Sequence, residues 1–263
     1  MTVSDYFSVK TIKALTSLQR NNNRLWYQEN KGLLDEFLFS PAKRMVIDVG
    51  QILSRHAEKL VADPKVDRSI YRLYRDTRFS KDKNPYKEHL GLIWWHDLPE
   101  GKLSSPCFYF HLSPEGFNWS VGCYTFTPWT LLAFRQTILE PESAKAFKTL
   151  AAQINKMDLD FNPPDLKRLP SGFSGPPWTS EWLRRKSIYT WSKTLPNSER
   201  TILGPNGATY LAKLFLESLP LYSFLVKLME TGRDLERDNP ELMVPRAPMA
   251  HPVKKVQLQE DDF

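Results

Sequence analysis

The sequence predicts an α+β fold: a single domain in which an antiparallel sheet is packed against an N-terminal helical layer and further helices. Three observations favour this class over a doubly wound fold. Helical periodicity dominates the N-terminal quarter, alternating strand patterns occupy the middle, and helical patterns return near the end. A chain of 263 residues with 41% hydrophobic and 25% charged residues is typical of one globular domain, which we place at residues 1–232. Prolines and charges then predict a poorly ordered tail at residues 233–263.

The N-terminal quarter is predicted to form three helices. Ser8 is suited to cap the first helix, because its hydroxyl can accept a hydrogen bond from a backbone amide. Three asparagines at 21–23 interrupt it, and a second helix is predicted at about residues 24–39. Pro41 begins a third helix, which is predicted to end near residue 63.

Residues 106–112 and 117–124 alternate as two strands of a hairpin, joined by a Ser-Pro-Glu-Gly sequence that suits a type I turn. Pairing Leu112 with Phe117 gathers apolar side chains on one face. The opposite face then carries Cys107, Tyr109, His111, Asn118, Ser120, Gly122 and Tyr124. Because this register puts the chain's two cysteines on opposite faces, it forbids a disulfide between them. So few cysteines indicate a reducing compartment, and we expect a cytoplasmic protein.

The remaining elements follow from shorter patterns. An apolar run at 91–96 predicts another strand, and the alternation at 186–193 predicts one more. A region rich in proline at 162–177 predicts a long loop. Trp178 and Trp182, four residues apart, predict a short helix after it. Further helices are predicted at 128–139, 142–157 and 207–230, the last of them bent or split at Pro220.

Positive charge is concentrated in one part of the chain. The formal net charge is +6, and the stretch from Lys65 to Lys87 holds eight Lys or Arg residues against three Asp. Such a patch is compatible with an anionic small molecule or with nucleic acid. No apolar run approaches the ~20 residues needed to cross a membrane, and the first residues lack the pattern of a secretory signal. We therefore expect neither a transmembrane segment nor secretion.

The segment 71–87 is the most informative part of the sequence, and we expect a short strand that passes into a structured loop. Guanidinium groups are forked, permanently charged donors that suit phosphate and carboxylate oxygens. A second basic cluster follows the paired tryptophans. The predicted ligand-binding residues are Arg72, Arg75, Arg78, Lys81, Lys83, Lys87, Arg184 and Arg185.

Three residues are candidates for a catalytic role: Asp76, Tyr86 and His111. Asp76 lies between two arginines, which should keep it ionised and favour an orienting role. The alternative is that Asp76 and Asp82 clamp the arginines in an internal ion-pair network of a non-enzymatic interaction or structural protein. The histidines and cysteines lack the spacing of metal ligands, so we expect no metal site. The sequence identifies no cofactor, substrate or oligomeric state, and does not decide whether the protein is an enzyme.

The basic segment also carries a resemblance. The pattern Arg72-x-x-Arg75-Asp76-x-Arg78-Phe79-x-x-Asp82-Lys83-x-x-Tyr86 resembles the signature of an uncharacterised family, domain of unknown function 2461. Further similarity lies near the N-terminus, in the central hairpin with the helix after it, and around Leu166 to Ser187, so that it covers about residues 5–225. The resemblance implies a single domain and implies no known reaction.

These observations predict a basic cleft framed by the polar hairpin face, the segment 72–87 and the cluster 184–186. The cleft would bind a phosphate-bearing or other anionic ligand. This prediction requires several guanidinium groups that face water and remain unpartnered.

Overall fold

The computed structural model describes residues 6–78, 80–198 and 200–241, and its centre is an antiparallel sheet. The strands of these residues are β1 Leu60–Val61, β2 Leu90–His96, β3 Cys107–Leu112, β4 Phe117–Cys123, β5 Leu159–Phe161 and β6 Ile188–Ser192. Their order across the sheet is β1-β2-β3-β4-β6-β5. The predicted α+β single domain is confirmed.

The hairpin of β3 and β4 has the predicted register. Leu112 lies opposite Phe117, and Phe110 lies opposite Trp119. Both cysteines are free, as this register requires. Gly122 lets β6 approach β4, because a Cβ atom at this glycine would lie 2.3 Å from the Tyr189 Cα atom. The hairpin therefore continues directly into the rest of the sheet.

Helices cover one face of this sheet. Their bounds are α1 Val9–Arg20, α2 Arg24–Glu29, α3 Lys31–Leu34, a π-helical turn Asp35–Phe39, α4 Ser40–Leu53, α5 Pro128–Thr137, α6 Pro141–Asn155, α7 Thr179–Leu183, α8 Gly207–Glu217 and α9 Leu219–Asp238. Ser8 caps α1 as predicted, and the Thr11 hydroxyl completes the capping box by accepting from the Ser8 amide. Among the described residues, no helix combines the length and the apolar character needed to cross a membrane.

Aromatic side chains join the helices to the sheet. The Trp94 ring meets Phe215 edge to face with centroids 5.5 Å apart, and its Nε1 donates to the Val46 carbonyl at 2.9 Å. Phe108 stacks on Tyr222 of α9 with centroids 4.7 Å apart. Truncating one such buried aromatic residue to alanine typically costs about 3–5 kcal/mol. This core fixes the sheet, and we name the face that points away from the core the distal face. Its side chains are also largely buried, Ile93 and Tyr109 among them.

Several predicted boundaries are wrong for identifiable reasons. The predicted helix at 24–39 is interrupted at Asn30, whose side chain and backbone amide both donate to the Trp26 carbonyl. The predicted third helix is α4 in the structure. It ends at Leu53, before the predicted end near residue 63, because residues 60–61 pair with β2 as an edge strand. At the other end, α9 continues past the predicted boundary at residue 232. Residues 242–263 of the predicted tail lie outside the described residues.

Candidate functional site

The basic loop, residues 71–87, lies beside the start of β2. Two backbone hydrogen bonds draw its two ends together: the Arg75 amide donates to the Pro85 carbonyl at 2.9 Å, and the Lys87 amide donates to the Leu73 carbonyl at 2.7 Å. The predicted short strand is not formed, because the loop pairs only through single bridges. The predicted structured loop is present.

The N-terminal helices hold this loop in place. The side chain of Asn22 accepts from the Tyr86 amide at 3.1 Å and donates to the Tyr86 carbonyl at 2.9 Å. The Tyr86 ring stacks on Tyr27 of α2, with centroids 4.2 Å apart and planes 7° apart. Burial raises the pKa of Tyr86, and only 7% of the residue is exposed. Tyr86, a catalytic candidate in the sequence, therefore anchors the loop with an enclosed ring.

Arg75 is turned into the protein. Its side chain is 6% exposed, and Nη1 donates to Oδ2 of Asp82 at 2.5 Å. The carboxylate of Asp82 also accepts from the Asn84 amide at 3.0 Å. The Asn84 amide and then Arg75 lower the pKa of Asp82. The expectation that Arg75 faces water unpartnered is wrong, because the loop closes over it.

Arg78 and Asp76 form a forked ion pair on the surface. Nε and Nη2 of Arg78 both donate to the carboxylate of Asp76, at 2.9 and 2.6 Å. The side chains are 78% and 49% exposed. These hydrogen bonds lower the pKa of Asp76 to about 2. Asp76 is therefore ionised at neutral pH and orients Arg78, and so low a pKa makes it a poor general base.

Four cations of the loop face solvent, and we name them the outer cations: Arg72, Arg78, Lys81 and Lys83. Arg72 has one weak ion pair, with Nε 3.8 Å from Oδ1 of Asp67. Lys83 donates to the Thr77 carbonyl at 3.0 Å. Among the described residues, neither Lys81 nor Lys83 has a carboxylate partner. The outer surface of the loop therefore keeps an excess of positive charge.

His111 lies on the distal face of the sheet, next to His89. Its ring stacks on His89, with centroids 4.2 Å apart. Gly91 pairs with His111 across β2 and β3, and His89 precedes Gly91 by two residues. Strand alternation therefore puts both histidines on one face. Lys87 lies nearby, with Nζ 5.4 Å from the centroid of the Tyr71 ring.

The second basic cluster, residues 184–186, follows α7, and both of its arginines form hydrogen bonds within the protein. Arg185 is 4% exposed; Nε donates to the Asn162 carbonyl at 2.7 Å and Nη2 donates to Glu181 at 2.8 Å. Its guanidinium also lies 4.4 Å from the Trp182 ring centroid. Arg184 donates from Nε to the Ser180 carbonyl. The expectation that Arg185 is open to a ligand is wrong, because this side chain holds the end of α7 against the loop before it.

Other chemistry is limited within the described residues. No group of three histidine, cysteine or acidic side chains is arranged to hold a metal ion in that part of the chain. Burial raises the pKa of the Cys107 thiol to about 12, so it is not a thiolate nucleophile at neutral pH. The site is therefore a set of cations, histidines and aromatic rings.

Comparison with known proteins supports the resemblance found in the sequence. The model of a family described as "Conserved hypothetical protein (DUF2461)" matches residues 10–224, from α1 into α9. No curated protein and no solved structure matches the chain.

Proposed function

The chain belongs to the DUF2461 family, and we propose that it binds a phosphate-bearing or other anionic ligand on the outer surface of the basic loop. The observation that carries this proposal is the exposure of the four outer cations on a loop whose position is fixed by Asn22 and Tyr27. A fixed loop loses little conformational freedom on binding, which favours affinity. The ligand is an anionic small molecule or a nucleic acid segment.

The ion pairs of the loop do not remove this positive surface. Between residues 71 and 87 there are six Lys or Arg residues and two Asp. The Arg78–Asp76 pair is exposed to water, and exposed pairs contribute little because water and salt screen them. A phosphate can therefore take the place of Asp76 at the guanidinium of Arg78 at small cost, since arginine binds phosphate with the same forked geometry.

A second candidate function is supported by the ion pair that the buried Arg75 forms with Asp82. In this version the basic loop is a structural element, and the protein acts by interacting with other macromolecules without catalysis. The two versions differ in the role of the outer cations. They are required for ligand binding in the first version and dispensable in the second.

The first test is a thermal-shift screen of nucleotides, sugar phosphates and short oligonucleotides, carried out on the wild type and on Arg78→Ala. A ligand at a hundredfold excess over its dissociation constant stabilises the folded state by about 2.7 kcal/mol, a shift that the method resolves. We expect at least one class to stabilise the wild type, with a smaller shift in the variant.

Arg237→Ala is the matched control. Arg237 is also an exposed arginine in an ion pair, with its side chain 70% exposed, but it lies in α9. This control should keep the shift of the wild type. Equal shifts in Arg78→Ala and the wild type would contradict the proposal and favour the structural version. If an oligonucleotide is the ligand, its affinity should fall steeply as salt is raised.

We also keep the cytoplasm as the proposed location, because both cysteines are free in the fold.

A further inference from the structure

We propose that the stacked pair His89 and His111, together with Lys87, forms a further binding site on the distal face of the sheet, which takes a small oxyanion such as phosphate or a carboxylate. We name it the histidine site. It does not depend on the proposed function, because none of the outer cations belongs to it. Its ligand can be a free anion or the anionic group of a larger molecule.

Geometry brings the two rings together without a side chain between them. His89 and His111 flank Gly91, which pairs directly with His111. A Cβ atom at Gly91 would lie 2.7 Å from the Tyr109 hydroxyl and 3.2 Å from the Tyr71 ring, so only glycine lets these aromatic residues lie this close to the strand. The two imidazole rings therefore stack on each other beside these aromatic side chains, with their centroids 4.2 Å apart.

An enclosed nitrogen atom points to a ligand. Nε2 of His89 is buried and has no hydrogen-bond partner among the described residues. Buried polar atoms in folded proteins nearly always have a partner, so an exception calls for an explanation. The whole residue is 8% exposed, while the neighbouring His111 and Lys87 are half-buried. An anion that enters beside these two residues would supply the acceptor that Nε2 lacks.

The charges around the rings favour an anion. Burial, and after it the positive charges of His111, Lys87 and Arg75, holds the pKa of His89 well below the ordinary value. Glu115 in the hairpin turn interacts with His111 and accepts a hydrogen bond from Gln19 at 3.2 Å. A bound oxyanion would favour the charged imidazole of His89, so binding should strengthen as the pH falls.

The surroundings also limit the size of the ligand. Trp191 meets the His111 ring edge to face, with centroids 6.1 Å apart, and stacks on Tyr109 at 5.7 Å. His89 itself is only slightly exposed. So little exposed surface favours a single phosphate or carboxylate group over a nucleic acid strand.

The test follows the imidazole nitrogen signals of the full-length wild type by NMR while inorganic phosphate or acetate is added at constant ionic strength. We expect the signals of His89 and His111 to shift with saturation, more strongly at about pH 6 than at about pH 8. The exposed His56 should not respond. If neither anion shifts the two histidines, or if chloride produces the same shifts, the inference is wrong. A response to one anion alone identifies the class.

Variants separate binding from stability and from the basic loop. His89→Asn and His111→Asn should weaken the affinity for the responding anion about tenfold, the effect of losing one charge-assisted hydrogen bond. His56→Asn and Arg78→Ala should leave it unchanged. Unchanged affinity in both histidine variants would overturn the proposal. If His89→Asn does not fold, the wild-type titration and His111→Asn still decide. A loss in Arg78→Ala instead would assign the anion to the outer cations.

Discussion

Replacing Arg75 with alanine tests the division of the basic loop into an anchor and an outer surface. The side chain is 6% exposed and bonded to Asp82, whose own side chain is 46% exposed. A hydrogen bond to a charged group contributes about 1.5–3 kcal/mol, and the exposure of Asp82 favours the lower value. The two buried methylene groups that alanine lacks add about 1.6 kcal/mol. We therefore expect the free energy of unfolding to fall by about 3 kcal/mol.

The assay is urea denaturation followed by tryptophan fluorescence, with thermal melting as a second measurement. A loss of this size should lower Tm by about 6–12 °C in a chain of this length. Arg75→Met separates the two contributions, because its side chain keeps most of the packing without the charge. We expect it to recover about half of the loss.

Arg78→Ala is the matched comparison, since that arginine belongs to an exposed pair in the same loop. It should leave the free energy of unfolding unchanged within the error of the measurement. The reasoning is refuted if Arg75→Ala and Arg78→Ala have the same stability. A stable Arg75→Ala would mean that the loop does not close over this side chain.

Three further predictions concern other residues. Tyr71→Phe should be neutral or stabilising by up to about 1 kcal/mol, because the Tyr71 hydroxyl is buried and has no hydrogen-bond partner in the part of the chain that the structure describes. Tyr222→Phe should be destabilising, because that hydroxyl forms a hydrogen bond with Nδ1 of His96 at 3.1 Å. Chemical denaturation measures both. The pKa of His89 is lowered in the folded state, so below about pH 6.5 the unfolded chain binds more protons and stability falls as the pH drops. His89→Asn should remove that part of the slope in stability measured against pH, in a buffer without phosphate or carboxylate, and an unchanged slope would contradict the assignment. Asp76→Asn removes a negative charge from the loop and should bind the anion that the screen identifies more tightly, as measured by titration calorimetry; abolished binding would show that this carboxylate is itself needed for recognition.

The hairpin could be predicted from the sequence in full because its determinants are local. Strand alternation has a period of two, so only one register sorts the apolar residues of 106–112 and 117–124 onto one face. The cap at Ser8 and the split before Pro220 are local signals of the same kind. Each depends on residues within a few positions of one another.

Which arginines of the basic loop are buried and which are exposed could not be predicted, because this depends on residues far away in the sequence. The loop is closed by contacts with Asn22 and Tyr27, which are about sixty residues away in sequence. Arg75 and Arg78 have the same chemistry and the same kind of neighbours, yet the first is buried and the second is exposed. The three-residue strand β5 was missed for a similar reason, since its pairing with β6 joins distant segments.

The most direct test of the central claim is titration calorimetry with the strongest ligand from the screen, on a double variant of the outer cations and on a matched double control. The loop variant is Arg78→Ala with Lys83→Ala. The control is Arg237→Ala with Lys213→Ala, which removes two exposed cations outside the loop, one in α9 and one in α8. The account predicts that the dissociation constant rises at least about tenfold in the loop variant and stays unchanged in the control. Equal weakening in both, or none in the loop variant, would contradict it.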